Sequence, residues 1–217
     1  MLELGVKFLL SYFLGSIMGS IVIGSLRGGV DIRTMGSGNA GGTNALRTQG
    51  WQFALGVVII DIGKGALAAG AVPLLALPLV PEDPALPRAV LTVFCAAAAV
   101  LGHVWPMWHR FRGGKGAATL VGTMTVLAPF LLIPVLVVWL LFLTVFGYVG
   151  LATILAALSA PVYLARIGVP LTQPLFLYAV FCALFMVYTH RSNIQRMREG
   201  SEPKNTKLMI FRRGRSG

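Results

Sequence analysis

From Ala117 to Phe146 the chain runs for thirty residues without a charge, and the run contains Pro129 and Pro134. A stretch this apolar points to a lipid bilayer, whose hydrocarbon core of about 30 Å takes a helix of about 20 residues. As one helix the run would be about 45 Å long at about 1.5 Å per residue, so two shorter helices breaking near Ala128–Pro129 fit better. Five other runs have spanning length: about Leu4 to Leu26, Phe53 to Val80, Ala89 to Trp105, Tyr148 to Ile167 and Leu171 to Tyr188. The first lacks a basic leader and a small-residue cleavage pattern, and Arg27 follows it directly, so it reads as a retained span and not as a signal peptide. The reading is therefore an all-α integral membrane bundle of seven transmembrane helices. Composition agrees: 56 % of the 217 residues are hydrophobic and 12 % charged, against about 25 % charged in soluble domains. Cys95 and Cys182 both lie in apolar runs, which rules out a disulfide framework, and no Cys/His metal cluster exists.

The net charge of +11 would suggest nucleic acid in a soluble protein, but its placement says otherwise. Basic residues cluster at Arg27, Arg33 and Arg47, at Arg110, Arg112 and Lys115, and at eight positions from Arg191 to Arg215, while the acidic turn PEDPALPR occupies 81–88. With seven spans and the N-terminus outside, all three basic segments and the C-terminus fall on the cytoplasmic side, as the positive-inside rule requires. Six spans would send the basic tail outside. Arg166 is the one charge left on the wrong side. Residues 1–203 are thus expected to form the membrane domain, and 204–217 a basic cytoplasmic tail that attracts anionic lipid head groups. No nucleic-acid partner is expected.

The polar segments between spans carry the chemistry. The first reads MGSGNAGGTNALR, Met35 to Arg47. Gly36, Gly38 and Gly41 let the backbone approach a ligand, successive amides can form an anion nest, and Ser37, Asn39, Thr43 and Asn44 add side-chain donors. Arg47 adds a permanently charged fork suited to phosphate. The glycines also fit G-x-G-x-x-G, but no βαβ unit surrounds them, so a dinucleotide fold is unsupported. The second segment, GHVWPMWHRFRGGKGAATLVG, joins Gly113, Gly114 and Lys115 to a helix starting near Ala117. Gly116 stands where a Walker sequence needs Ser or Thr, yet a cation before a helix N-terminus still suits an anion. Trp105, Trp108 and Phe111 read as an interfacial belt, and His103 and His109 as structural donors near the interface. In the third segment, YTHRSNIQRMREGSEPK, His190 and Asn193 are spaced to share a helix face.

Asp61 and Lys64, three apart within the second span, are either a structural ion pair or, through Lys64, a substrate contact. There is no G-x-S-x-G elbow and no H-E-x-x-H, and the residues five after His103, His109 and His190 are Trp108, Gly114 and Gln195, so no His-x4-Asp acyltransferase pair exists.

GSGNAGGTNALR, GHVWPMWHRFRGGKGAAT and HRSNIQRMREGSEPK, with DIGKG at Asp61–Gly65, together resemble the three motifs of the bacterial acyl-phosphate-dependent glycerol-3-phosphate acyltransferases, the PlsY family. The resemblance covers nearly the whole chain. It implies a seven-helix enzyme of the bacterial inner membrane with its active site on the cytoplasmic face. It also implies the reaction: acyl transfer from acyl phosphate to sn-glycerol 3-phosphate, giving lysophosphatidic acid and inorganic phosphate in phospholipid biosynthesis. No metal, coenzyme A or ATP is then required. By that likeness Ser37, Arg47, Lys115, His190 and Asn193 are catalytic. Asn39 and Thr43 are also carried over as functional, and Glu202 is a structural carry-over. The residues' own chemistry adds Gly36, Gly38, Asn39, Gly41, Thr43, Asn44, Lys64, Gly113 and Gly114 as substrate- or phosphate-binding. Either His190 or a substrate phosphate oxygen takes the hydroxyl proton. Membrane lipids are implied partners, with a soluble acyl-phosphate synthase a candidate for docking on the basic tail. The rival from another class is a transporter for phosphorylated solutes, supported by the intramembrane Asp61–Lys64 pair and opposed by the placement of all three motifs on one face.

Overall fold

The computed structural model describes residues 1–210 and is helical throughout. Its ten α-helices among those residues are α1 (Leu2–Gly15), α2 (Gly19–Leu26), α3 (Gly42–Gln49), α4 (Trp51–Gly70), α5 (Arg88–Val104), α6 (Ala117–Leu127), α7 (Leu132–Phe146), α8 (Val149–Arg166), α9 (Pro174–Thr189) and α10 (Arg191–Arg198). The chain divides into two compact units, Met1–Pro129 and Phe130–Gly217. Residues 211–217, which hold the last three arginines of the expected tail, lie outside the described residues.

All seven expected apolar segments are helical, but they are not equally long. Four are long and apolar enough to cross a membrane: Trp51–Leu74, Arg88–His109, Pro129–Phe146 and Val149–Arg166. Two more qualify as bent pairs, α1 with α2 at 43° and α9 with α10 at 49°, for up to six. The seventh, α6, has 11 residues and at about 1.5 Å each falls well short of about 30 Å. Its upper end is set by Pro129: Ala128, forced out of the helical region by the ring that follows it (φ −156, ψ 66), closes α6. Pro134 then sits in the first turn of α7, where no amide donor is needed.

In the first unit, helices approach through small residues, which suits a bilayer where close backbone contact replaces the hydrophobic drive between helices. A Cβ on Gly15 would overlap the Ala99 backbone of α5, and one on Gly102 would meet Tyr12 and Ser16 of α1. Gly65 and Gly122 do the same between α4 and α6, against Thr119 and Ile62. A cluster of Ile32, Ala45, Phe53, Ala54 and Val57 closes the base of the first polar loop. In the second unit Gly147, left-handed at φ +76, ends α7 with its amide on the Leu143 carbonyl, and Trp139 Nε1 donates to Thr153 of α8 at 3.2 Å. The segment after α10 returns to this corner, Asn205 N–H bonding Gly147 O at 2.8 Å and Ile210 N–H bonding Thr144 O at 3.0 Å.

Charges also hold the first unit together. Glu3 and Lys7, both 1 % exposed, pair at 2.8 Å within α1. Arg88 grips both Glu3 oxygens at 2.6 and 2.8 Å, and Lys7 also donates to Pro73 O. A carboxylate buried this far is tolerable because every face of it is bonded.

Candidate active site

The first loop is organised from within. Asp31 caps the short turn Ile32–Thr34, accepting the Arg33 amide at 3.0 Å and pairing with its guanidinium at 2.7 Å. That cation holds the Asp31 carboxyl below the usual aspartate range, and the Arg33 guanidinium is raised in turn. Arg33 also donates to Arg112 O at 3.3 Å, tying the first loop to the second. Gly36 (φ +56) and Gly38 (φ +70) make the turns that other residues resist. A Cβ at Gly36 would also run into Asn44 Oδ1.

Asn44 is 1 % exposed. Its Nδ2 donates to Ile32 O (2.9 Å) and Met35 O (3.0 Å), and its Oδ1 accepts the Ser37 amide at 3.0 Å. Expected as a substrate donor, Asn44 instead fastens the loop from beneath. Ser37, Thr43 and Arg47 remain on the exposed side, with Asn39 half-buried. Gly41 stands immediately before α3, whose first amides have no partner within the helix.

The second loop repeats the design with different parts. It leaves α5 through Trp105, turns on Arg110 and Phe111, both left-handed at φ +55 and +57, and enters α6 after Gly116 at φ +89. Gly113 N–H bonds Val104 O at 3.2 Å, and Gly114 N–H bonds His103 O at 3.1 Å. The glycine pair, expected to offer amides to phosphate, directs them to the end of α5. Glycine is needed there for space, since a Cβ at 113 would overlap His103 O and one at 114 the His103 ring. Lys115, half-buried, stands just before the first amides of α6, where the helix dipole is positive. Trp108 and Phe111 are exposed, as an interfacial belt requires, and Trp108 lies 5.6 Å from the Phe13 ring.

Beneath this loop the intramembrane charges form one cluster. Lys64 Nζ lies 2.9 Å from Asp61 Oδ1, donates to Ile17 O at 2.6 Å, and meets His103 Nδ1 at 2.9 Å. Asp61 Oδ1 also accepts the Gly19 amide at 3.2 Å. The ion pair therefore serves the break between α1 and α2, the ammonium taking a carbonyl on one side and the carboxylate an amide on the other. Such groups cannot be left bare in lipid. With three acceptors engaged, Lys64 braces the unit from within, as the structural ion pair that the spacing of Asp61 and Lys64 allowed. His103, read from the sequence as a structural donor near the interface, is 2 % exposed and finds its partners 39 and 42 positions away.

In the second unit His190 and Asn193 fall at the bend between α9 and α10 and are 5 % and 8 % exposed. His190 Nδ1 faces Met186 O at 2.8 Å. A carbonyl can only accept, so Nδ1 carries the proton and Nε2 the lone pair. Asn193 Nδ2 donates to Glu202 Oε1 at 2.7 Å, while Arg196 Nε holds Glu202 Oε2 at 2.7 Å. Gly150 of α8 leaves room for Asn193, whose Cβ and amide would press on any side chain there. Glu202 is thus the residue that orients Asn193. No group of three or more His, Cys, Asp or Glu suited to a metal occurs among the described residues.

Residues 6–200 match the family model described as glycerol-3-phosphate acyltransferase. The chain is 39 % identical over 211 residues to the glycerol-3-phosphate acyltransferase of Salinibacter ruber, covering 93 % of this chain and 92 % of that one. It is 39 % identical over 198 residues to the enzyme of the same name from Geobacillus kaustophilus, covering 90 % and 93 %. Among solved structures it is similar to PlsY, an integral membrane glycerol 3-phosphate acyltransferase, in its glycerol 3-phosphate form, with a TM-score of 0.78 and 34 % identity over 93 % of this chain and 94 % of that one. The lysophosphatidic acid form of PlsY gives a TM-score of 0.76 at 33 % identity, with the same coverage.

Proposed function

The chain belongs to the glycerol-3-phosphate acyltransferase family, and from that premise we propose that its acyl donor is an acyl phosphate and its acceptor sn-glycerol 3-phosphate. It is a multi-pass integral membrane acyltransferase of phospholipid synthesis. The finer reading keeps seven spans, with the N-terminus outside and the motifs at the cytoplasmic face of the bacterial inner membrane. It requires neither coenzyme A nor ATP.

The observation that carries the reading is the pair of glycine-led helix starts in the first unit. Each brings a cation with it: Arg47 in the last turn of α3 and Lys115 just before the start of α6. Two phosphate-bearing substrates need two such anion cradles. Acyl phosphate is a mixed anhydride and is already activated, so no serine nucleophile is needed. The glycerol hydroxyl attacks the acyl carbonyl, a C–O ester bond forms, and the bond from the acyl carbon to the phosphate oxygen breaks. Inorganic phosphate leaves with the bond's electron pair. The hydroxyl proton passes either to His190 or to a substrate phosphate oxygen. Arg47 and Lys115 stabilise the developing and departing negative charge, with a few kcal/mol for each well-aimed donor.

The test is a purified-protein assay in detergent with palmitoyl phosphate and glycerol 3-phosphate. Lysophosphatidate should form without coenzyme A or ATP, and Arg47→Ala and Lys115→Ala should each lower turnover by about a hundredfold or more. Product from palmitoyl-coenzyme A but not from palmitoyl phosphate would overturn the donor assignment. Full activity in either variant would remove that loop from the site.

A further inference from the structure

His103 closes α5 with its imidazole 2 % exposed. On one side of the ring, Nδ1 lies 2.9 Å from the Lys64 ammonium and 3.4 Å from Asp61 Oδ1. An ammonium can only donate, and the shorter contact makes Nδ1 the acceptor, so the neutral ring carries its proton on Nε2. Lys64 cannot rotate away without abandoning Ile17 O and Asp61 Oδ1, and Asp61 is fixed by the Gly19 amide. The tautomer is therefore held by α4, by α2 and by the link between α1 and α2.

On the other side, Nε2 lies against Gly114. A Cβ built there would overlap Nε2 and come within 3.1 Å of Cε1. Gly114 does not have a positive φ, so its glycine serves space alone and leaves the N–H end of the ring uncovered. Among the described residues every bond of the His103 side chain is made through Nδ1. That N–H abuts the residue before Lys115, three positions ahead of α6.

We propose that the Nε2–H of His103 is a donor to a phosphate held by Lys115 and the start of α6 in the second loop, with Lys64 and Asp61 as positioning residues that keep the proton on that nitrogen. The inference rests on reading that loop as a phosphate cradle. A neutral ring adds a directed hydrogen bond without adding charge beside Lys115. The phosphate belongs to one of the two substrates, and kinetics identifies which.

The first test needs no variant. The chain has three histidines, so 15N-histidine spectra of the detergent-solubilised protein can be assigned with His109→Asn and His190→Gln. His103 should show a protonated Nε2 and an unprotonated Nδ1, and its Nε2 resonance should move on titration with inorganic phosphate. An Nδ1-protonated ring, or an Nε2 resonance that ignores phosphate, overturns the proposal. The second test is kinetic. His103→Asn keeps an acceptor for Lys64 but loses the outer donor, and should raise KM for one substrate about ten- to a hundredfold while kcat changes less. Gly114→Ala should do the same, and the double variant should add little, because both remove one bond. A rise for glycerol 3-phosphate alone assigns the acceptor's phosphate, and a rise for palmitoyl phosphate alone the donor's. Unchanged KM values in a folded His103→Asn protein that otherwise turns over both substrates overturn the role of His103 and leave the acyltransferase reading intact. No turnover by the wild-type protein overturns that reading itself.

Discussion

His103 and His190 sit in comparable places and have opposite chemistry. Each closes a long apolar helix, each is nearly buried, and each stands at the start of a polar segment. The difference is one neighbour. Nδ1 of His103 faces an ammonium and must accept, whereas Nδ1 of His190 faces a carbonyl and must donate. The remaining nitrogen therefore carries a proton in the first unit and a lone pair in the second. A donor suits an anion and an acceptor suits a hydroxyl proton, so a single contact on the far side of the ring sets which of the two each neutral ring can serve.

The largest test of this contrast is His190→Gln, which keeps polarity and removes the basic nitrogen. Its kcat should fall about 10²- to 10⁴-fold with KM nearly constant. A raised KM with kcat retained would make His190 a holder of substrate like its counterpart, and the contrast would be gone. Next in size is Lys64→Met, which strips His103 of the donor that sets its tautomer and leaves Asp61 buried without its cation. Urea or thermal unfolding in detergent should show a loss of about 3–5 kcal/mol, partly recovered in the Asp61→Asn/Lys64→Met double variant. An unchanged stability would mean that the pair holds neither the α1–α2 break nor the ring.

Asn44→Ala asks whether the first unit's binding role extends beyond its histidine. Three bonds that shape Ile32–Ser37 are lost, for about 1–3 kcal/mol of stability. KM should rise more than kcat falls, and the reverse split would place chemistry in that loop. The smallest effect belongs to Asp31→Asn. The folded-state pKa of Asp31 is lowered by Arg33, so its stabilising contribution is complete above the unfolded value of about 3.9 and disappears as the pH falls through the lowered one. Melting temperature against pH should be flatter on the acid side in the variant, and by a small margin because the pair is partly exposed. An identical acid limb would mean that the Arg33 contact does not form in solution.

What could be read from the amino acids alone was what spacing records. The apolar runs, the interruption at Ala128–Pro129 and the glycine-led loops follow from residues that are neighbours in the chain, and each has its helix or turn in the structure. Partnerships between distant residues were not readable. Glu3 and Arg88 are 85 positions apart, and Lys64 and His103 are 39. The i,i+4 spacing of Glu3 and Lys7 is local, but no local pattern says that Lys7, in the middle of an apolar run, also donates to the distant Pro73 carbonyl. Direction was hidden for the same reason. Asn44 lies in a run of polar side chains, and only the path of residues 32–37 over it shows that it faces inward. The amides of Gly113 and Gly114 looked available until the end of α5 proved to be their acceptor. The length of α6 likewise depends on where the second loop re-enters.

The break between α1 and α2 has a consequence for how the protein is made. The Ile17 carbonyl and the Gly19 amide leave the ribosome 47 and 42 residues ahead of the side chains that satisfy them. Until α4 arrives, the bend between α1 and α2 has no staple, and its bare backbone groups need water or another polar partner. The bent first segment thus becomes fully bonded only once a later one has supplied its ion pair.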